Sequence, residues 1–150
     1  MNPIATILSE SRVLLGLEAG SKKRLLEEAG QLFESTCNIE QALVFENLLT
    51  REKLGSTGIG QGVAIPHSRI KGITNAVGAF IRLAEPLDYD APDGKPVTLV
   101  FVLLAPEEAT EASLQILAAL ATFFADSFFR MKLATAADAA AVCALFANAG

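Results

Sequence analysis

Gly55-Ser56-Thr57-Gly58-Ile59-Gly60-Gln61-Gly62-Val63-Ala64-Ile65-Pro66-His67 holds four of the eleven glycines and the only histidine of this 150-residue chain. Its first half reads as a loop, because Gly58, Gly60 and Gly62 permit positive φ and let backbone N–H groups approach a ligand. Val63, Ala64 and Ile65 read as a short buried strand. Pro66 has no N–H for a sheet ladder, so the strand should end or lie at an edge there. His67 then stands where a rigid strand gives way to a loop, which fixes the direction of its ring.

Working outward toward the N-terminus, Ala42, Phe45, Leu48 and Leu49 recur at helical spacing. Asn38 is the expected cap of that helix, with Gln41 three residues on, and its end falls near Arg51. Before it, Ser21 caps a helix over Lys22–Thr36 with the stripe Leu25, Leu26, Ala29, Leu32 and Phe33. Gly30 inside that helix costs about 1 kcal/mol relative to Ala. Lys22, Lys23 and Arg24 occupy its first turn, where the helix dipole disfavours cations. They are either a solvated helix end or a patch for an acidic partner or a phosphate. Further back, a short helix or turn leads into a strand at Arg12–Leu15.

Beyond His67, Ser68–Gly72 reads as a loop and Ala76–Leu83 as a strand in which Gly78 admits another backbone. Glu85–Pro96 is a turn-rich connection, with Asp93-Gly94 placed to close a hairpin by a type I′ turn. Val97–Leu104 is a continuous apolar run, expected as a central strand buried on both faces. A helix should start near Thr110, carrying Leu114, Leu117, Ala118, Ala121 and Phe124 as one stripe. Ser127–Leu133 is a short helix or turn, and Thr135 caps a last helix over Ala136–Ala147. The order predicts a single α/β domain over residues 1–150: a sandwich with a mixed central β-sheet and helices on both faces.

Composition removes several classes of function. The net charge of −5 argues against non-specific nucleic-acid binding. No run of about 18 apolar residues is present, so no membrane insertion is expected. The start, Met1-Asn2-Pro3-Ile4, lacks a signal-peptide layout, which leads to the expectation of a cytoplasmic protein. Cys37 and Cys143 show no metal or redox spacing, and one His with two distant Cys makes no usual metal ligand set. The glycine run precedes a strand instead of following one, and its third glycine comes one residue too early for a dinucleotide fingerprint. Gly94-Lys95 is followed by Pro96 where a P-loop needs Ser or Thr. No cofactor is expected, and another protein is the expected phosphoryl donor.

The chemistry left standing is nucleophilic. A neutral imidazole attacks electrophiles near pH 7 and can form a covalent intermediate. Backbone amides of Gly55, Ser56, Thr57 and Gly58 form a candidate nest for anionic oxygens. Arg51 lies just upstream, and its planar fork matches phosphate. The duller role for Arg51 is a surface ion pair with Glu52 or Glu46. For Ser56 and Thr57 it is turn chemistry. Together these groups point to phosphoryl transfer onto His67.

The run Thr50-Arg51-Glu52-Lys53-Leu54-Gly55-Ser56-Thr57-Gly58 through Ile65-Pro66-His67 closely resembles the phosphorylation-site segment of the IIA component of the bacterial phosphotransferase system. The similarity is greatest to the nitrogen-regulatory branch, with mannitol- and fructose-type IIA domains as near relatives, and it extends over nearly the whole chain. The resemblance implies the sandwich architecture and a phosphotransferase that works as a phosphohistidine carrier. It implies that an HPr-like phosphocarrier protein phosphorylates His67 and that regulatory target proteins read its state. We expect Nε2 as the acceptor, with Nδ1–H donating to a backbone carbonyl. Ile59 and Ile70 are candidates for a docking surface. The family often carries a second histidine after the strand at Val97–Leu104; here Ser113 and Gln115 occupy that stretch as possible accessory residues, and neither relays a proton as His would. Two alternatives are a sugar-specific IIA domain that passes phosphate to a IIB partner, and a binding regulator that is not phosphorylated.

Overall fold

The computed structural model describes residues 2–108 and 111–149. The chain opens with a short helix, α1 (Pro3–Ile7), and a 3-10 turn, then strand β1 (Val13–Leu17). Two helices follow, α2 (Lys22–Cys37) and α3 (Gln41–Leu54). Five strands come next: β2 (Gly58–Gly60), β3 (Val63–Ala64), β4 (His67–Ile70), β5 (Val77–Leu87) and β6 (Val97–Pro106). Helices α4 (Glu111–Ala125), α5 (Ser127–Thr135) and α6 (Ala139–Asn148) end the fold. The expected helix start near Thr110 lies outside the described residues.

The sheet is mixed, in the order β1-β5-β6-β3-β2, with β4 also paired to β6. β1 runs parallel to β5, β5 antiparallel to β6, and β6 parallel to β3 and β4. Its two faces feed separate cores. Phe80, Phe101 and Leu103 pack with α1 and α4–α6, while Ile81, Val100, Val102 and Leu104 pack with α2 and α3. This is the α/β sandwich expected from the order of elements. β6 is its centre: Val100–Leu104 are at most 1% exposed, as their uninterrupted apolar run requires.

Several local details differ from expectation. Asn38 does not start α3; at φ 57° it ends α2 in the left-handed conformation, its N–H donating to Glu34 and Phe33 carbonyls. Glu34 instead accepts the Gln41 N–H at 2.8 Å, so α2 supplies the anion at the start of α3. The buried stripe of α3 is Val44, Leu48 and Glu52, with Ala42 exposed. Asp138, not Thr135, caps α6, because Thr135 Oγ1 donates back to the Met131 carbonyl at the end of α5. Asp93-Gly94 is not a type I′ turn: only Gly94 has positive φ, and its N–H donates to Ala91 across a turn with Pro92 second.

Two glycines are explained by close approach. At Gly30 a Cβ would lie 2.9 Å from the Gln41 carbonyl oxygen, so the glycine lets α2 and α3 cross tightly. At Gly78 a Cβ would lie 2.7 Å from the Phe101 ring, so a ring and not a backbone fills the space. Gly30→Ala should destabilise the protein by about 1–3 kcal/mol despite the higher helix propensity of Ala, because a backbone oxygen cannot swing away. Urea unfolding tests this; unchanged or raised stability would show that the crossing relaxes.

Candidate functional site

The glycine-rich stretch is a β-hairpin rather than an open loop. β2 and β3 pair antiparallel, Gly58 with Ala64. Gln61 (φ 59°) and Gly62 (φ 80°) turn the chain with positive φ at both central positions, the type I′ signature. Gly60 also has positive φ, whereas Gly58 does not. Gly58 is needed because a Cβ there would sit 3.0 Å from the Ala91 Cβ. Asp93 braces the turn: its carboxylate accepts the Gln61 N–H at 2.8 Å and the Lys95 N–H at 3.1 Å. Those amides, that of Gln61 first, hold the Asp93 carboxyl below the usual carboxylate range. Its contribution is therefore present at neutral pH and is lost as the pH falls through that lowered value.

Ser68–Ile70, expected as a loop, continues the sheet as β4. Val63 pairs with Leu99 and His67 with Leu103, the same offset on both sides of Pro66. Pro66 leaves the ladder one donor short, yet its carbonyl still accepts the Leu103 N–H at 3.0 Å. The register therefore passes through unslipped. Ile70, fully buried in the α2/α3 core, anchors the far end and cannot be a docking residue. Ile59 remains 44% exposed.

His67 is half-buried at the start of β4. Its Nδ1 lies 2.7 Å from the Ile65 carbonyl oxygen. A carbonyl only accepts, so Nδ1 carries the proton and Nε2 keeps its lone pair.

Arg51 comes from the last turn of α3, the helix that packs on β4. Its Nη1 donates to the Gly55 carbonyl at 2.9 Å. It pairs with neither Glu52 nor Glu46. Thr57 accepts the Ile65 N–H, which carries the β2–β3 pairing one step past Gly58–Ala64.

The amides of the expected nest are largely engaged. Gly55 N–H donates to Glu52 O, Gly58 N–H to Ser56 Oγ at 3.1 Å, and Thr57 N–H to the Glu52 carboxylate. Ser56 Oγ donates to the Tyr89 carbonyl at 2.8 Å, so turn chemistry describes it well. Ser113 and Gln115 belong to α4, on the same side of the sheet as Leu103, the partner of His67; Gln115 is exposed and Ser113 half-buried.

Sequence reasoning did not foresee what lies beneath. Glu52 is 7% exposed, and its carboxylate accepts from the Thr57 hydroxyl and amide, from Tyr89 Oη at 2.9 Å and from Lys22 Nζ at 3.1 Å. Lys22 also lies 4.4 Å from the Tyr89 ring centroid and 3.7 Å from Asp90. Burial, first of all, pushes the Tyr89 hydroxyl far above its ordinary pKa, so it stays a donor. The Lys22 ammonium is thus neither a simple solvated helix end nor a free cation. The signal was present in the spacing, since Glu52 follows Val44 and Leu48 at i+4 steps on the buried face.

His67 at the start of β4, Arg51 in the last turn of α3 and the glycine hairpin braced by Asp93 make up the candidate site. Residues 6–149 match the family described as "Phosphoenolpyruvate-dependent sugar phosphotransferase system, EIIA 2", and the chain belongs to it. Within that family it is similar to proteins named for nitrogen regulation. It is 45% identical over 136 residues to the nitrogen regulatory protein of Pseudomonas aeruginosa, covering 89% of this chain and 88% of the relative. The crystal structure of IIA-Ntr from Neisseria meningitidis superposes with a TM-score of 0.90 at 54% identity, covering 95% of this chain and 97% of that one. The mannitol IIA of Escherichia coli, solved in complex with phosphorylated mannitol IIB, shares the fold with a TM-score of 0.79 at 22% identity, covering 93% and 96%. Among the described residues, no single helix is long and apolar enough to cross a membrane.

Proposed function

We propose that the protein is a nitrogen-regulatory IIA phosphocarrier of the cytoplasm that accepts a phosphoryl group on His67 from an HPr-like protein. The observation that carries this reading is the Nδ1 contact to the Ile65 carbonyl, which leaves Nε2 as the nucleophile. The Nε2 lone pair forms a P–N bond while the P–N bond to the donor's imidazole breaks, its electron pair returning to that ring. The proton stays on Nδ1, hydrogen-bonded to the Ile65 carbonyl, and no electrons change hands otherwise. Arg51 offers a guanidinium to the equatorial oxygens. Of the four residues Gly55, Ser56, Thr57 and Gly58, the role supported is bracing, with Ser56 N–H the remaining candidate donor. The product carries a charge near −2 where a neutral ring stood, which changes what regulatory targets can dock beside Ile59.

Arg51→Ala tests the assignment. Phosphorylation by enzyme I, an HPr-like carrier and phosphoenolpyruvate should slow by about 10–100-fold. Stability should fall by no more than about 1 kcal/mol, because one surface hydrogen bond to Gly55 is lost. An unchanged rate would remove Arg51 from the reaction, and a melting temperature lowered by tens of degrees would make it structural. Phosphoryl loss on adding a IIB domain would favour the sugar-specific branch.

A further inference from the structure

We infer that Arg69 is a second phosphate-binding cation of this site, touching the phosphoryl group on His67 from the same strand. The inference rests on His67 being the acceptor, and it concerns a residue outside the Thr50–Gly58 and Ile65–His67 motifs.

Strand register carries the first part. β4 pairs with β6 without a slip, His67 beside Leu103 and Arg69 beside Ala105. Residues side by side in a ladder share a face, and residues two apart along a strand do too. Leu103 belongs to the core under α4–α6, whereas Leu104 and Ile70 belong to the opposite core. His67 and Arg69 therefore stand on one face, and Ser68 and Ile70 on the other. Their Cα atoms are about 6.6 Å apart, well within the reach of an arginine.

The second part is the state of the guanidinium. Arg12, Arg24, Arg51, Arg82 and Arg130 each bond a carbonyl or a carboxylate through the guanidinium. Arg69 is exposed and makes no such contact among the described residues. A planar cation beside a nucleophilic ring, with no protein partner among the described residues, suits an incoming dianion.

The third part is the open edge. The Pro66 carbonyl faces β6, so by alternation the N–H groups of His67 and Arg69 face away from it. β6 is the only strand that pairs with β4 among the described residues. The Ile65 carbonyl that holds Nδ1 lies on that same side, so the ring is folded toward the edge where those amides lie. A phosphoryl group on Nε2 thus meets Arg69 and edge amides, donors that the engaged nest of Thr57 and Gly58 cannot supply.

The experiment compares the full chain with Arg69→Gln and Arg69→Lys, using two phosphoryl donors: the phosphoenolpyruvate-driven carrier cascade and the small molecule phosphoramidate. We expect Arg69→Gln to slow His67 modification by about tenfold with both donors. Arg69→Lys should recover most of the rate, since it keeps the charge but not the fork. The melting temperature should be unchanged in both variants. Slowing with the protein donor alone would make Arg69 a docking residue and overturn the inference, as would equal rates in Arg69→Gln and wild type. Modification of His67 by phosphoramidate but not by the cascade would defeat the carrier reading while leaving Arg69 to be judged by the small donor. No modification of His67 by either donor would overturn both.

Discussion

Replacing His67 with alanine should abolish the phosphoryl mass gain that enzyme I, an HPr-like carrier and phosphoenolpyruvate produce in the wild type. No other imidazole exists in the chain to take over. The loss should be complete rather than partial, because Ser, Thr and the carboxylates near the hairpin are already hydrogen-bonded acceptors or donors in the brace. Stability should change little. The ring is half-buried and makes one bond, to the Ile65 carbonyl, worth about 1 kcal/mol. Intact-mass measurement and a thermal melt on the same sample separate the two effects. A mass gain that persists in the variant would move the acceptor elsewhere.

Glu52→Ala should be the most destabilising single change at the site, at about 3–5 kcal/mol. It leaves the Thr57 hydroxyl and amide, the Tyr89 hydroxyl and the Lys22 ammonium without their acceptor, all but the lysine fully or nearly buried. Water cannot replace it without opening the junction of α2, α3 and the hairpin. Glu52→Gln should cost less, because an amide oxygen still accepts from Thr57 or Tyr89 while the charge opposite Lys22 is gone. Chemical denaturation of both variants checks the order. If Glu52→Ala came within about 1 kcal/mol of wild type, the network would be a consequence of the fold and not one of its supports.

What could be read before the structure was known depended on how local its cause was. The run Val97–Leu104 announced a strand covered on both faces, and β6 is one. The Ser21 cap and the stripe after it gave α2 within a residue of its end. His67-Ser68-Arg69-Ile70 carries no such local sign. It is a strand because β6 offers a parallel ladder and a pocket for Ile70, a long-range cause. Asn38 has the chemistry for either end of a helix, and here it is the left-handed stop of α2. Residue type alone singles out His67 and Arg51 as candidates. It does not single out Glu52 and Lys22, since a motif cannot show that a charged side chain is turned inward.

The central claim is that Nε2 of His67 is the atom that takes the phosphoryl group. Nitrogen-15 and phosphorus-31 NMR of the phosphorylated protein, with the histidine ring labelled, reads that atom directly. The account predicts a phosphorus coupled to Nε2 and a protonated Nδ1 still bonded to Ile65. Phosphorus on Nδ1, or an unmodified ring in a protein that has gained the mass, would contradict it.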